Sequence, residues 1–124
     1  MSVDPNRIAG IAYIAVDGVN QMLVGEFTYN LSKVTRETMI GQDAVHGYAE
    51  RPFAGFIACK LRDNQSLDAA SFNGMKNVTV TAQLANGKTI VGRNMWTVET
   101  QEIDTSDAAI TVRWESRTVE EVLP

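Results

Sequence analysis

The chain has 124 residues, enough for one domain over residues 1–124, and its 44 % hydrophobic and 21 % charged content is that of a globular protein. A formal net charge of −4, with the 11 Lys and Arg scattered, leaves no basic patch and argues against a free-standing nucleic-acid binder. One cysteine, Cys59, excludes an intramolecular disulfide. The first residues lack the charged and apolar regions of a signal peptide, and no apolar run approaches the about 18–20 residues that span a membrane, so no membrane anchor is expected and synthesis in a cytoplasm is.

Apolar residues recur with period two along most of the chain, which predicts strands. Ile8 to Asp17 reads as the first strand, and Asp17-Gly18 as a tight turn. Gln21 to Tyr29 follows, with Leu23, Phe27 and Tyr29 on one face and Met22, Val24 and Glu26 on the other. Next comes a long polar stretch, Lys33 to Pro52. Hairpin loops usually take about 2–5 residues, and structureless loops beyond about 12–15 are usually functional or disordered. This stretch carries Met39, Ile40, Val45 and Tyr48 among its charges, so it is expected to be an arm that lies on something.

Phe53 to Leu61 is the third main strand, with Phe53, Ile57, Cys59 and Leu61 sharing a face. Ser66 to Gly74 carries the one helix signal: Ser66 as cap, Asp68 near the positive end of the dipole, Gly74 as terminator. Val78 to Leu84 alternates cleanly, Val78, Val80, Ala82 and Leu84 against Thr79, Thr81 and Gln83. Asn86-Gly87 predicts a type I′ hairpin turn, both residues tolerating positive φ. Lys88 to Gly92 and Asn94 to Ile103 read as two further strands, the latter with Trp96 and Val98 on one face. Ala108 to Glu115 closes the pattern, Ile110, Val112 and Trp114 against Thr111, Arg113 and Glu115. The expectation is a mainly β fold: a sandwich or barrel of six to eight strands, one short flanking α-helix, and a long arm between the second and third strands. The ends, residues 1–6 and 118–124, are expected to be loose or to dock on a neighbour.

Chemistry is hard to find. His46, the only histidine, has Asp43 three residues before it, which is half of a triad. No nucleophile elbow completes it, and Cys59 sits in an apolar strand pattern that disfavours a thiolate. One His and one Cys cannot build a structural zinc site, and Asp104-Thr105-Ser106-Asp107 lacks the Gly and distal Glu of a calcium loop. Trp96 and Trp114 on apolar strand faces read as core. No catalytic, cofactor-binding or metal residues are expected. An all-β chain with no chemistry still has strand edges, which invite pairing with other copies; such contacts close into a ring or run on as a filament.

Several segments together resemble the tail tube proteins of Mu-like contractile phages. They are Asn6-Arg7-Ile8-Ala9-Gly10 with Val16-Asp17-Gly18, the arm motif Gly41-Gln42-Asp43 followed by His46-Gly47-Tyr48, Leu84-Ala85-Asn86-Gly87-Lys88-Thr89, and Arg93-Asn94 with Trp96-Thr97-Val98. They occur in family order across nearly the whole chain. The resemblance implies a structural virion protein without enzymatic activity or cofactor. It implies six copies joined edge to edge in a ring whose inner wall is a continuous β-barrel, and rings stacked into a tube inside a contractile sheath. The partners it implies are copies of the chain, the sheath, tape-measure, baseplate and tail-terminator proteins, and genomic DNA in transit without specific binding.

Carried onto this sequence, the arm is Lys33 to Pro52, and Gly41, Gln42, Asp43, His46, Gly47, Tyr48 and Arg51 are its contact residues between subunits and rings. Gly41 and Gly47 are expected to permit backbone turns closed to other residues. Thr79, Thr81, Gln83, Thr111 and Glu115 are expected to face the lumen, where a neutral or acidic wall lets DNA slide. The rival readings are the tube protein of a pyocin-like or type VI-like injection system, a monomeric ligand-binding β-barrel with an apolar cavity, and an enzyme using His46 and Asp43.

Overall fold

A computed structural model describes residues 6–65 and 67–124. Among them are eleven strands and one helix: Tyr13–Val16 (β1), Val19–Gln21 (β2), Leu23–Asn30 (β3), Val34–Ile40 (β4), Val45–Pro52 (β5), Gly55–Arg62 (β6), Ala69–Asn73 (α1), Val78–Gln83 (β7), Thr89–Val98 (β8), Ile103–Asp104 (β9), Ala109–Ser116 (β10) and Thr118–Val122 (β11). The mainly β architecture with one short helix is as expected. The strand count is higher because the arm is itself a hairpin, β4–β5, and the C-terminal tail is paired as β11. The loose N-terminal end expected over residues 1–6 lies, apart from Asn6, outside the described residues.

Nine strands form one antiparallel sheet, in the order β2-β1-β7-β8-β10-β6-β3, with β11 also on β8 and β9 on β10. The sheet folds over at β8. The start of β8 pairs with β7 and β11, while its end, Trp96 to Val98, pairs with β10. One register runs through the junction, from Glu115 opposite Trp96 to Thr118 opposite Arg93, so β10 and β11 are one ribbon bent against β8. Asn94 marks the bend with a φ of 53°. That explains why the sequence reads as two strands meeting near residue 93. The Ser116 hydroxyl, 1 % exposed, donates to the Arg93 carbonyl and accepts from the Thr118 N–H, satisfying buried backbone where the ladder breaks.

The two halves enclose one core. Ile14, Val16, Val80, Ala82 and Ile90 come from the first half; Ile57, Cys59, Leu61, Ile110, Val112 and Trp114 come from the second. Helix α1 closes the side. Phe72 packs against Trp114 with ring centroids 6.3 Å apart, and Thr97 ties to the helix end through its hydroxyl on the Phe72 carbonyl at 2.7 Å. The expected cap, Ser66, lies outside the described residues. Asp68 caps the helix, its carboxylate accepting from the Ala70 N–H at 3.1 Å.

Local geometry corrects three expectations. The Asp17-Gly18 turn is as read, with φ of 50° and 82°, and the Asp17 carboxylate also accepts from the Thr79 N–H at 2.7 Å. At Asn86-Gly87 only Gly87 takes positive φ (91°), and its N–H reaches back to the Leu84 carbonyl at 3.0 Å. The loop is therefore not the two-residue type I′ turn expected but a longer one in which Gly87 alone needs the left-handed region. Phe53 lies between strands and is 39 % exposed, outside the core face of β6. Trp96 is half-buried and lines a cleft with Arg93, Asn94 and Arg117, because the Asn94 bulge turns it away from the core that takes Met95.

Candidate assembly surfaces

The arm is the most exposed part of the fold. Strands β4 and β5 pair only with each other, from Val34 opposite Pro52 to Ile40 opposite Val45. Residues directly opposite point the same way. One face therefore carries Arg36, Glu50, Thr38, Tyr48, Ile40 and Val45; the other carries Thr35, Arg51, Glu37, Ala49 and Met39. Ile40 is 73 % exposed and Tyr48 61 %, with Met39 and Val45 also bare. An isolated two-stranded hairpin is marginal in water. What holds this one is its ladder, an Arg36–Glu50 ion pair at 3.0 Å, and the Arg36 guanidinium 5.5 Å from the Tyr48 ring centre.

The tip is built by Gly41, Asp43 and His46. The Gly41 N–H donates to the Ala44 carbonyl at 2.9 Å, closing the loop. The His46 ring nitrogen Nε2 lies 2.8 Å from the Asp43 carboxylate. The imidazole lies over Gly41, and a Cβ there would stand 2.0 Å from its Cε1. Gly41 is thus closely covered by the His46 side chain and does not use the positive-φ freedom expected of it. Gly47 does need that freedom, at φ 146° beside a register shift. The Asp43 carboxyl is held below its ordinary range, first by the bond to His46 and then by backbone N–H groups. Cys59 does not join the pair as a nucleophile: it is buried and its thiol is pushed up to about 12 by desolvation. Gln42 and Arg51 are exposed on the same hairpin, and their side chains make no hydrogen bond or ion pair among the described residues.

The residues expected at a lumen separate into two sets. Thr79, Thr81 and Gln83 share an outer face with Ala15 and Val91 on the first half of the sheet. Thr111 and Glu115 share the outer face of the second half with Arg113, Phe56, Ala58 and Lys60. Since both halves turn their other residues to the one core, these faces look in different directions. On the second face Lys60 lies 3.5 Å from Glu26, Arg113 lies 3.2 Å from Glu115 with its guanidinium 3.9 Å from the Phe56 ring centre, and Arg62, opposite Ala109 at the strand end, donates to the Asp107 carbonyl. Sequence reasoning did not find the Lys60–Glu26 pairing, because Glu26 reaches its position through a bulge with a φ of 54°.

Among the described residues no group of His, Cys, Asp and Glu is arranged to hold a metal ion, and no helix is long and apolar enough to cross a membrane. The fold resembles Hcp1 from Flavobacterium johnsoniae with a TM-score of 0.66, at 12 % identity over 90 % of this chain and 94 % of that one. It also resembles a chain from the sheath/tube terminator of an extracellular contractile injection system, PVC, in the extended state, with a TM-score of 0.57, at 10 % identity over 98 % and 97 % of the two chains. In sequence, the chain is 25 % identical over 105 residues to the tail tube protein of Escherichia phage Mu, spanning 85 % of this chain and 88 % of that protein. Residues 5–121 match the family model for the phage tail tube protein, and the chain belongs to that family.

Proposed function

We propose that this chain is the non-enzymatic subunit of the inner tube of a contractile phage tail. Six copies close edge to edge into a ring, rings stack into a tube within the sheath, and the genome leaves through the lumen. The single observation that carries the reading is the β4–β5 arm, a hairpin bare on both faces whose apolar tip side chains none of the described residues covers. Ring closure is supported by the free edge of β3 at one end of the sheet, an eight-residue strand whose outer backbone groups have no ladder partner. Sheath, tape-measure, baseplate and terminator proteins are the partners such a tube requires, and the virion is its place. Within the contractile machines that share the fold, the match to the phage family favours a phage tail.

The contact residues proposed on the arm are Gly41, Gln42, Asp43, His46, Gly47, Tyr48 and Arg51, of which Gly41 and His46 shape the tip and Tyr48 anchors it. For the lumen we favour the second half of the sheet, with Thr111 and Glu115. Its three eight-residue strands, β3, β6 and β10, make a continuous wall, and its cations Lys60 and Arg113 are paired with carboxylates. Thr79, Thr81 and Gln83 then face away from the channel. Electron microscopy of the purified protein tests the reading, with rings or hollow tubes expected. Replacing residues 37–50 by Asn-Gly is expected to leave a folded domain that no longer stacks. Monomers under all conditions, even with partner proteins, or tubes that survive the arm replacement, overturn it.

A further inference from the structure

If the arm seats on a second copy, as the proposed function holds, the chain carries a surface that fits it. The segment before β1 crosses the loop between β7 and β8. Arg7 donates through Nε to the Ala85 carbonyl at 2.9 Å, and Gly10 passes so close that a Cβ would lie 3.4 Å from that of Ala85. The crossing leaves a groove of about 370 Å³ walled by Ile11, Tyr13, Leu84 and Ala85. Two of its lining residues, Ile11 and Tyr13, stand bare, 71 % and 61 % exposed. Such a patch on a small domain marks a contact surface.

We infer that this groove receives the arm tip of another copy, with Ile40, Val45 and Tyr48 laid against Ile11 and Tyr13. Charge and apolar lining together favour this groove over two separate clefts. Its lining holds one charged group, the Arg7 guanidinium, and the arm tip presents Asp43, whose side chain is 81 % exposed even when bonded to His46. The other apolar groove, about 280 Å³ between the β1–β2 turn and α1, is lined by Asp17 and Asp68, which repel Asp43. The cleft of about 480 Å³ at the β8 bend is lined by Asn77, Asn94, Arg93, Arg117 and the half-buried Trp96, and offers little for Ile40 and Val45. Gln83 belongs to the groove in this arrangement, which agrees with its lying away from the channel.

Cysteine cross-linking tests the seat. The native Cys59 is 2 % exposed and does not compete. Ile40→Cys in one preparation is mixed with Tyr13→Cys in another, assembled and oxidised. Covalent dimers are expected several-fold above those from Ile40→Cys mixed with Thr111→Cys or Leu123→Cys, because a disulfide forms only when Cβ atoms approach to about 3.5–4.5 Å. Tubes seen by electron microscopy without that selectivity overturn the seat and leave the tube reading standing. Absence of any assembly overturns the tube reading, and the seat with it. Where a cysteine variant does not assemble, deuterium exchange of the unmodified protein decides. Slower exchange at residues 10–13 and 39–48 on assembly is expected, and unchanged exchange at 10–13 overturns the seat.

Discussion

His46 and Gly41 form one device, and neither is understood alone. The imidazole covers the glycine and reaches Asp43 at 2.8 Å, so the tip has a defined shape before any partner arrives. Preorganisation of this kind lowers the entropy lost on docking. Gly41→Ala forces the ring off its seat. Because the tip is exposed, domain stability is expected to change by less than about 0.5 kcal/mol in urea denaturation, while ring stacking weakens and the His46 ring resonances move in NMR. Acid probes the same contact. A carboxyl whose pKa is depressed in the folded state contributes above its unfolded value and loses that contribution as pH falls through the folded one. The tip is therefore expected to stay closed through neutral and mildly acid pH and to loosen only below the ordinary carboxylate range, where Asp43 takes up a proton. Amide exchange at residues 41–47 checks this, and Asp43→Asn is expected to show the loosened rates at every pH.

At the level of elements, period-two alternation was legible wherever one face meets the core and the other does not. β7 and β10 are such strands, and Val80, Ala82, Ile110, Val112 and Trp114 are buried as their spacing predicts. The arm escaped the same reading for a physical reason. Neither of its faces meets its own core, so apolar residues stand on both, and the pattern reads as a long loop. The contact motif proposed for it comes only from family likeness, and the Gly41–His46 approach was not visible at all, since glycine spacing does not reveal which side chain covers it. The tail was missed because β11 buries only Val119 fully and is otherwise polar. That one residue seals a seam: a Cβ on Gly55 of β6 would stand 2.9 Å from Val119 Cγ2 and 3.0 Å from the Asn30 carbonyl. Gly55→Ala is expected to cost about 1–3 kcal/mol by overpacking. A double-mutant cycle with Val119→Ala, followed by urea denaturation, is expected to return a favourable coupling; additive losses would show that β11 and β6 do not share the seam.

For the whole molecule, the question is what a channel wall must do to a passing polyanion. A wall of bare Lys and Arg neutralises phosphates, displaces their counterions and holds the DNA. In the proposed ring, six chains at −4 each would carry −24, a bias against such holding, but net charge does not say what faces the lumen. On the second half of the sheet, the proposed wall, Lys60 and Arg113 have Glu26 and Glu115 3.5 Å and 3.2 Å from them, and Arg62 at the strand end donates to the Asp107 carbonyl. Pairs this exposed contribute little to stability, so their value to a tube is the cancelled field, with β6 and β10 still free to carry long side chains that screen the core. Thr111→Lys with Glu115→Lys adds two cations and, by removing the Glu115 carboxylate, strips Arg113 of its partner on the same face. The double variant is expected to fold and to form tubes, yet to slow genome ejection and lower infectivity, more so at low ionic strength. Thr79→Lys with Thr81→Lys adds comparable charge to the opposite outer face and is expected to leave ejection unchanged. Equal ejection rates for the two variants would mean that the second half of the sheet does not line the channel, and the reverse ranking would move the wall to β7.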